Sequence, residues 1–592
     1  MQVPFRGLRC VDLEPTPQVS VMAGESGEGP CHAIGLEPMP CCAGGRNENA
    51  PRSRSSAKAE PTSLCLSSPG KPGHGATPLT WLSLVIFGLA IGLAAAVEPS
   101  AAFLLVMGLL AIPWAIRNIH IVVLLLAVYT PFEEVILKWM PGSLAAALRF
   151  APEALIILLL VCVLLRNVGR GTLWKRTPID LPLILFVAFS ALSALANEVP
   201  PIVGVLGIRE FARYISLYYL VVGARLTDRM IKLVVVGLLV SAAAEASIGL
   251  LQVVLGNSLS VFLIPEDVVV AGVMVRPGFT QILSGRTRIF GTLGRYNTFG
   301  FFLTISCLLG LGLYLKLRTT LPRWQRWGLV ALAGLAGPAM LLSFSRTSWF
   351  ALYAGVLVLL LLAKWKRTLL VAAIIPLLAT VLLLSWVTLE DWRVQEAEEA
   401  SVVDRYMATF SPGYVDVLLR HGRLFSLLRV SPMVLREYPW LGLGPGTIGS
   451  IATGGGTLSP GFYPEYSHED WLYVADVGSP DSLGYLHDVG WVSILAQVGV
   501  LGLAAYAWII IELLRTSLHC YRNSTEAFAR GLALGYVGLL VATILGNFAI
   551  FYFSLRAVSM YVWLVGGLVT TVYLRLRSET APVKVTIEEA QP

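Results

Sequence analysis

The chain has 592 residues, of which 56% are apolar and 14% charged, and a formal net charge of +7. With a mean hydropathy of +0.71, this composition excludes a string of soluble domains and points to a polytopic membrane protein. Apolar runs long enough to cross about 30 Å of hydrocarbon recur from Trp81 almost to the C-terminus, which excludes a single anchored helix.

The first eighty residues are rich in Pro, Gly, Ser and Glu and lack an apolar h-region. They read as a disordered cytoplasmic tail or an over-extended start, not as a signal peptide. Candidate spans follow at 81–97, 101–116, 119–139, 153–165, 181–196, 208–223 and 233–255, then at 298–315, 327–343, 347–363, 368–387, 490–512, 531–550 and 557–574. The expected fold is therefore all-α, with about 12–14 transmembrane helices. Its parts are a tail over 1–80, an N-terminal transmembrane bundle over 81–387, a large extracytoplasmic loop over 388–489, C-terminal helices over 490–576 and a cytoplasmic tail over 577–592. The eight cysteines include no CxxC pair and no Cys/His ligand spacing, so neither a zinc site nor a disulfide framework is expected.

Lysine and arginine in short loops favour the cytoplasmic side. They recur in alternate loops: Arg166, Arg170, Lys175 and Arg176; Arg225, Arg229 and Lys232; Lys316, Arg318, Arg323 and Arg326; Lys364, Lys366 and Arg367; Arg515, Arg522 and Arg530. Both termini then fall on the cytoplasmic side, and 197–207, 256–297, Ser343–Ser348 and the stretch from Thr388 to about Val489 face outward. The long outer stretch opens acidic, at Glu390, Asp391, Glu396, Glu398 and Glu399, and turns basic through Arg405, Arg420, Arg423, Arg429 and Arg436. Apolar residues at helical spacing in SLLRVSPMVLREYPWLG predict helix up to Pro439, and the glycines of GLGPGTIG predict a turn or a close backbone approach.

This topology moves Arg346, in LLSFSRTSWF, from mid-membrane to a short outer junction between helices. An ionised group at membrane depth costs several kcal/mol unless it is paired, snorkels or lines a wet cavity; snorkelling is the bland reading of Arg346, an anion site the functional one. The outer segment RPGFTQILSGRTRIFGTLGRYNTFG adds Arg276, Arg286, Arg288 and Arg295 on a face where cations are scarce. Guanidinium forks suit phosphate oxygens, and glycines before a helix N-terminus add backbone donors. Arg276 and Arg286 are expected to pair with the acidic outer loop. Arg209 and Arg213, one helical turn apart near an outer end, are candidates to join the anion site.

At the exit of the long loop, His487 and Asp488 precede an almost wholly apolar helix. Either could take a proton from an acceptor hydroxyl, while a helix cap by Asp488 is the structural alternative. Glu133 and Glu134 read first as an interfacial acidic pair and second as a divalent-cation site. Glu245, inside an apolar run, is expected to face a polar partner in the bundle rather than act as a transporter's proton site.

Taken in order, RIFGTLGRYNTFGFFL, LLSFSRTSWFAL, REYPWLGLGPGTIG and HDVGWVSILAQVGVLGL resemble the O-antigen ligase and O-antigen polymerase superfamily, bacterial membrane glycosyltransferases. The resemblance runs from about Arg209 to Leu503. It implies a GT-C-like helical architecture in the bacterial cytoplasmic (inner) membrane and an inverting, metal-independent transfer without a cofactor. The implied donor is a polyprenyl-diphosphate-linked glycan, and the implied acceptor is a second glycan or lipid A core. Membrane lipid, a flippase and a chain-length regulator are the implied company, and no nucleic acid is. By this resemblance Arg288 and Arg346 correspond to diphosphate ligands, and the histidine at the end of the loop maps to His487. The spacing of the following glycines aligns Asp488 instead, so either residue stands as the base. HDVGWVSILAQVGVLG is more similar to members that polymerise exopolysaccharide repeats. A secondary transporter for an anionic solute is the reading from another class.

Overall fold

The computed structural model describes residues 111–140, 142–169, 176–264, 286–368, 431–448 and 489–580, with the short pieces 268–270, 273–275, 282–283 and 371–372 and residues 419, 423, 427 and 428. The apolar runs become helices because, in hydrocarbon, each backbone N–H and C=O must find its partner within the segment. In chain order these are α1 (Ile119–Tyr129), α2 (Glu133–Lys138), α3 (Gly142–Gly169), α4 (Asp180–Ala196), α5 (Pro201–Ala212), α6 (Ile215–Ala224), α7 (Asp228–Leu255) and α8 (Asn257–Leu263). Two short antiparallel hairpins come next, Val268–Val270 with Val273–Val275 and Ile282–Leu283 with Arg286–Thr287. The chain continues through α9 (Tyr296–Leu317), α10 (Arg323–Leu342), α11 (Arg346–Leu362), α12 (Ser431–Glu437), α13 (Gly490–Asn523), α14 (Ala527–Gly546) and α15 (Arg556–Thr580).

Among the described residues, seven helical segments are long and apolar enough to cross a membrane, accompanied by shorter apolar helices such as α4, α6 and α11. The protein is thus an all-α, multi-pass membrane protein. The predicted run at 81–97 and most of those at 101–116 and 368–387 lie outside the described residues.

Two predicted spans are broken rather than continuous. The run 119–139 is interrupted by a 3-10 turn at Thr130–Phe132, where Pro131 has no N–H to donate. The run 208–223 divides at Arg213 and Tyr214 into α5 and α6, where Arg213 turns its side chain to Glu153 of α3.

Polar contacts between helix termini mark two distinct ends of the bundle. At the basic end, Lys232 donates to Glu526 at 2.7 Å, Arg575 pairs with Asp228, and the Tyr521 hydroxyl donates to the Leu362 carbonyl at 2.9 Å. At the opposite end Arg556 meets Glu133 at 2.8 Å, and the Asn197 amide donates to the Gly442 carbonyl at 3.0 Å.

The core between the ends is centred on α9, α14 and α15, where Phe301, Phe302, Tyr536, Tyr561 and Trp563 have no exposed surface. Small residues let these helices approach closely, the usual device when lipid supplies no hydrophobic drive for helix association. A Cβ at Gly312 of α9 would strike the backbone of Gly535 in α14, and one at Gly535 would lie 2.8 Å from the Leu309 Cα. Two of the buried phenols find carbonyl acceptors: Tyr536 donates to Val562 at 2.9 Å and Tyr561 to Ala127 at 2.6 Å.

Candidate functional site

The end opposite the basic one holds Arg288, Arg346, Arg209 and Arg213 among the described residues. Arg288 is 6% exposed and lies over the ring of Tyr296, the first residue of α9, with its guanidinium carbon 4.4 Å from the ring centroid. Stacking occupies the face of a guanidinium, whereas phosphate is recognised through its N–H edge, so the two contacts are compatible. Between Arg288 and α9 the chain makes a tight loop with Gly291 at φ +58 and Gly294 at φ +72, the left-handed region that glycine enters without strain.

Arg346 is the first residue of α11 and is 9% exposed. The turn before it is fixed by serines: the Ser343 hydroxyl donates to the Met340 carbonyl at 2.6 Å, and the Ser345 N–H donates to Ser343 Oγ at 3.3 Å. Ser345 then reaches across to α9, donating to Asn297 Oδ1 at 3.2 Å, and its hydroxyl lies 2.8 Å from that of Ser348. Gly300 permits this approach, since a Cβ there would lie 2.8 Å from Ser348 Oγ and 2.9 Å from Ser343 Oγ. The first turns of α9 and α11 therefore touch, one following Arg288 and the other opening on Arg346. Two helix N-termini side by side add their unbonded N–H groups and positive dipole ends to the two guanidiniums.

Residues that sequence reasoning missed complete this corner. Tyr552, in the turn between α14 and α15, stacks on Phe301 at 3.7 Å between centroids and has no exposed surface. Burial holds its phenol above the usual pKa, while the nearby Ser348 hydroxyl and Arg423 guanidinium act in the opposite sense. A protonated phenol is a hydrogen-bond donor at neutral pH. Arg423, so far one of several outer-loop cations, thus acts electrostatically on the Tyr552 phenol. No sequence pattern marks Tyr552, because its neighbours come from α9, α11 and the outer loop.

Arg209 and Arg213 share one carboxylate. Arg209 Nη2 pairs with Glu153 Oε2, Arg213 Nε lies 3.4 Å from Glu153 Oε1, and Arg209 also sits over the Phe150 ring. Glu133 and Glu134, the candidate cation pair, instead divide between two arginines, Glu133 with Arg556 at 2.8 Å and Glu134 with Arg149 at 2.9 Å. Arg276, His487 and Asp488 lie outside the described residues. Gly490, two residues after Asp488, packs against the Asn547 side chain at the end of α14, and the Trp491 indole donates to the Ile544 carbonyl at 3.0 Å.

The glycine-rich turn has a structural task that its sequence only hinted at. α13 is broken at Gly499, with φ 66 and ψ −170, and the segment 439–444 fills the break. Val500 N–H donates to the Pro439 carbonyl at 2.9 Å, Leu443 N–H to Ala496 at 2.8 Å and Gly444 N–H to Gln497 at 3.0 Å. Gln497 Oε1 accepts the Gly446 N–H at 2.7 Å. Gly207 of α5 lies against the backbone of Pro445 and Gly446, with no room for a Cβ. The turn thus ties α4, α5 and α13 together at the polar end.

Among the described residues, buried arginines, helix N-termini and hydroxyls thus gather at one end of the multi-pass helical bundle. Residues 331–507 match the model of the O-antigen ligase family, so this part of the chain is similar to that family. The matched region takes in Arg346, the 438–447 turn, His487, Asp488 and the break at Gly499, while Arg209, Arg213 and Arg288 precede it. No curated protein matches the chain. The family implies a lipid-linked glycan donor and a glycan acceptor.

Proposed function

We propose that the protein transfers or polymerises a polyprenyl-diphosphate-linked oligosaccharide at the outer face of the bacterial cytoplasmic membrane, with both termini in the cytoplasm. The observation that carries this reading is the contact between the first turns of α9 and α11 through Asn297 and Ser345, which joins the segments bearing Arg288 and Arg346. Arg288 and Arg346 grip the diphosphate, with Arg209 and Arg213 adding positive charge at the same end. An acceptor hydroxyl attacks the anomeric carbon from the side opposite the diphosphate. The new glycosidic C–O bond forms as the bond to the diphosphate oxygen breaks, and the configuration at carbon inverts. The hydroxyl proton passes to His487 or Asp488. Charge growing on the departing diphosphate is met by the two guanidiniums and the helix N-termini, which is where fixed dipoles lower a barrier most. This chemistry requires no metal ion.

The acceptor is a second lipid-linked glycan in a polymerase or lipid A core in a ligase. Glycan analysis of a deletion strain separates the two. Loss of long polymer with single repeats accumulating marks the polymerase, and long polymer retained on its lipid carrier marks the ligase. Unchanged surface glycan in the deletion strain would remove the proposal.

A further inference from the structure

Glu245 and Gln252 stand seven residues, two turns, apart on α7, a helix that otherwise presents mainly apolar side chains to the bundle. Both are buried, with 0% and 3% exposure. Their partners are consecutive backbone groups of the loop that follows Arg288. Gln252 Oε1 accepts the Phe290 N–H at 3.1 Å and the Gly291 N–H at 2.8 Å. Glu245 Oε2 accepts the Thr292 N–H at 3.0 Å, and its Oε1 meets the Thr292 hydroxyl. That hydroxyl also donates to the Pro131 carbonyl at 2.7 Å, which fastens the loop to the break between α1 and α2.

A loop in this setting can form no helical or sheet bonds of its own, and buried N–H groups left without acceptors are costly. Two side chains of α7 supply acceptors for three N–H groups in a row. Gly291 is pressed so closely on them that a Cβ would strike Glu245 Oε2 and the Phe299 ring. The path of the loop, and with it the point where Arg288 leaves the backbone, is therefore set by α7.

We propose that Glu245 and Gln252 are positioning residues that clamp the 290–292 loop to α7 and thereby hold Arg288 for the diphosphate of the lipid-linked donor. This rests on the assignment of Arg288 to the diphosphate. Neither residue touches the donor. Each acts through the direction it gives to the Arg288 guanidinium, and a misplacement of about 1 Å in such a group is enough to slow transfer about a hundredfold.

The test is a double-mutant cycle on purified protein, reading donor kcat and KM, with each variant's unfolding in detergent recorded alongside. Glu245→Ala and Gln252→Ala are expected to lower donor kcat/KM about tenfold or more. Glu245→Gln, which keeps an oxygen acceptor for the Thr292 N–H, is expected to restore it to within about threefold of wild type. In an Arg288→Ala background, Gln252→Ala and Glu245→Ala should cost almost nothing further. If the clamp variants lower kcat/KM by the same factor with and without Arg288, they do not act through it and the inference is overturned, while the diphosphate assignment stands. If Arg288→Ala alone transfers glycan at the wild-type rate, the assignment and the inference fall together.

Discussion

Arg346→Ala is expected to lower glycan transfer by about 10²- to 10³-fold, the usual loss when one preorganised donor is removed from a site of developing negative charge. The expectation comes from its place in the fold. Arg346 opens α11, is nine-tenths buried and stands where α9 and α11 meet. Alanine removes the guanidinium but leaves the turn intact, because Ser343, Ser345 and the Trp349 indole, which donates to the Met340 carbonyl at 3.1 Å, hold that turn independently. The variant should therefore insert and fold. Arg346→Lys should recover only part of the loss, since an ammonium keeps the charge but not the planar fork that matches two phosphate oxygens. The readout is the rate at saturating acceptor across a range of donor concentrations. A rate within about threefold of wild type for the alanine variant would take Arg346 out of the mechanism.

Glu153→Ala is expected to produce the largest loss of stability, about 3–5 kcal/mol. Glu153 is the shared partner of Arg209 and Arg213, and its side chain is 8% exposed against 23% and 12% for the two arginines. Removing it strands two largely buried cations beside each other where α3 meets the break between α5 and α6. Glu153→Gln keeps hydrogen-bond acceptance but loses the charge, so it should fall between wild type and alanine. Thermal unfolding of the purified protein in detergent measures both. An unfolding midpoint for Glu153→Ala equal to that of wild type would show that the carboxylate does not hold this junction.

Continuous apolar runs were legible because hydrocarbon demands internally bonded helices: the predicted spans 298–315 and 347–363 become Tyr296–Leu317 and Arg346–Leu362. Helix breaks were harder to read. Pro131 carried a local signal, but the break at Arg213 depends on Glu153, some sixty residues earlier in the chain. Gly499 is a single glycine in an apolar run, and its left-handed backbone is supported by hydrogen bonds from residues 439–444. Sequence cannot pair segments that distant without a fold in hand.

The same division runs through the site. Charge counting along the loops moved Arg288 and Arg346 to one side, and the structure brings their flanking segments into contact at one end. Glu245 read as a buried carboxylate in need of a polar partner, and the partner is Thr292. That Gln252 shares the task was invisible, because a lone glutamine in an apolar helix carries no motif. Arg209 and Arg213 read as two cations for an anion site, but their common engagement with Glu153 required α3 to be placed beside α5. Tyr552 was absent from the sequence reading for a related reason: its meaning comes from Phe301, Ser348 and Arg423, none of them near it in the chain.

The most direct test of the central claim is reconstitution of the purified protein in liposomes with a polyprenyl-diphosphate oligosaccharide and a glycan acceptor, following both products. The expected result is one polyprenyl diphosphate released for each new glycosidic bond, with both signals lost together in an Arg288→Lys, Arg346→Lys double variant. Uptake of an anionic solute without any lipid-linked substrate, and no glycosidic bond formed when donor and acceptor are supplied, would contradict it.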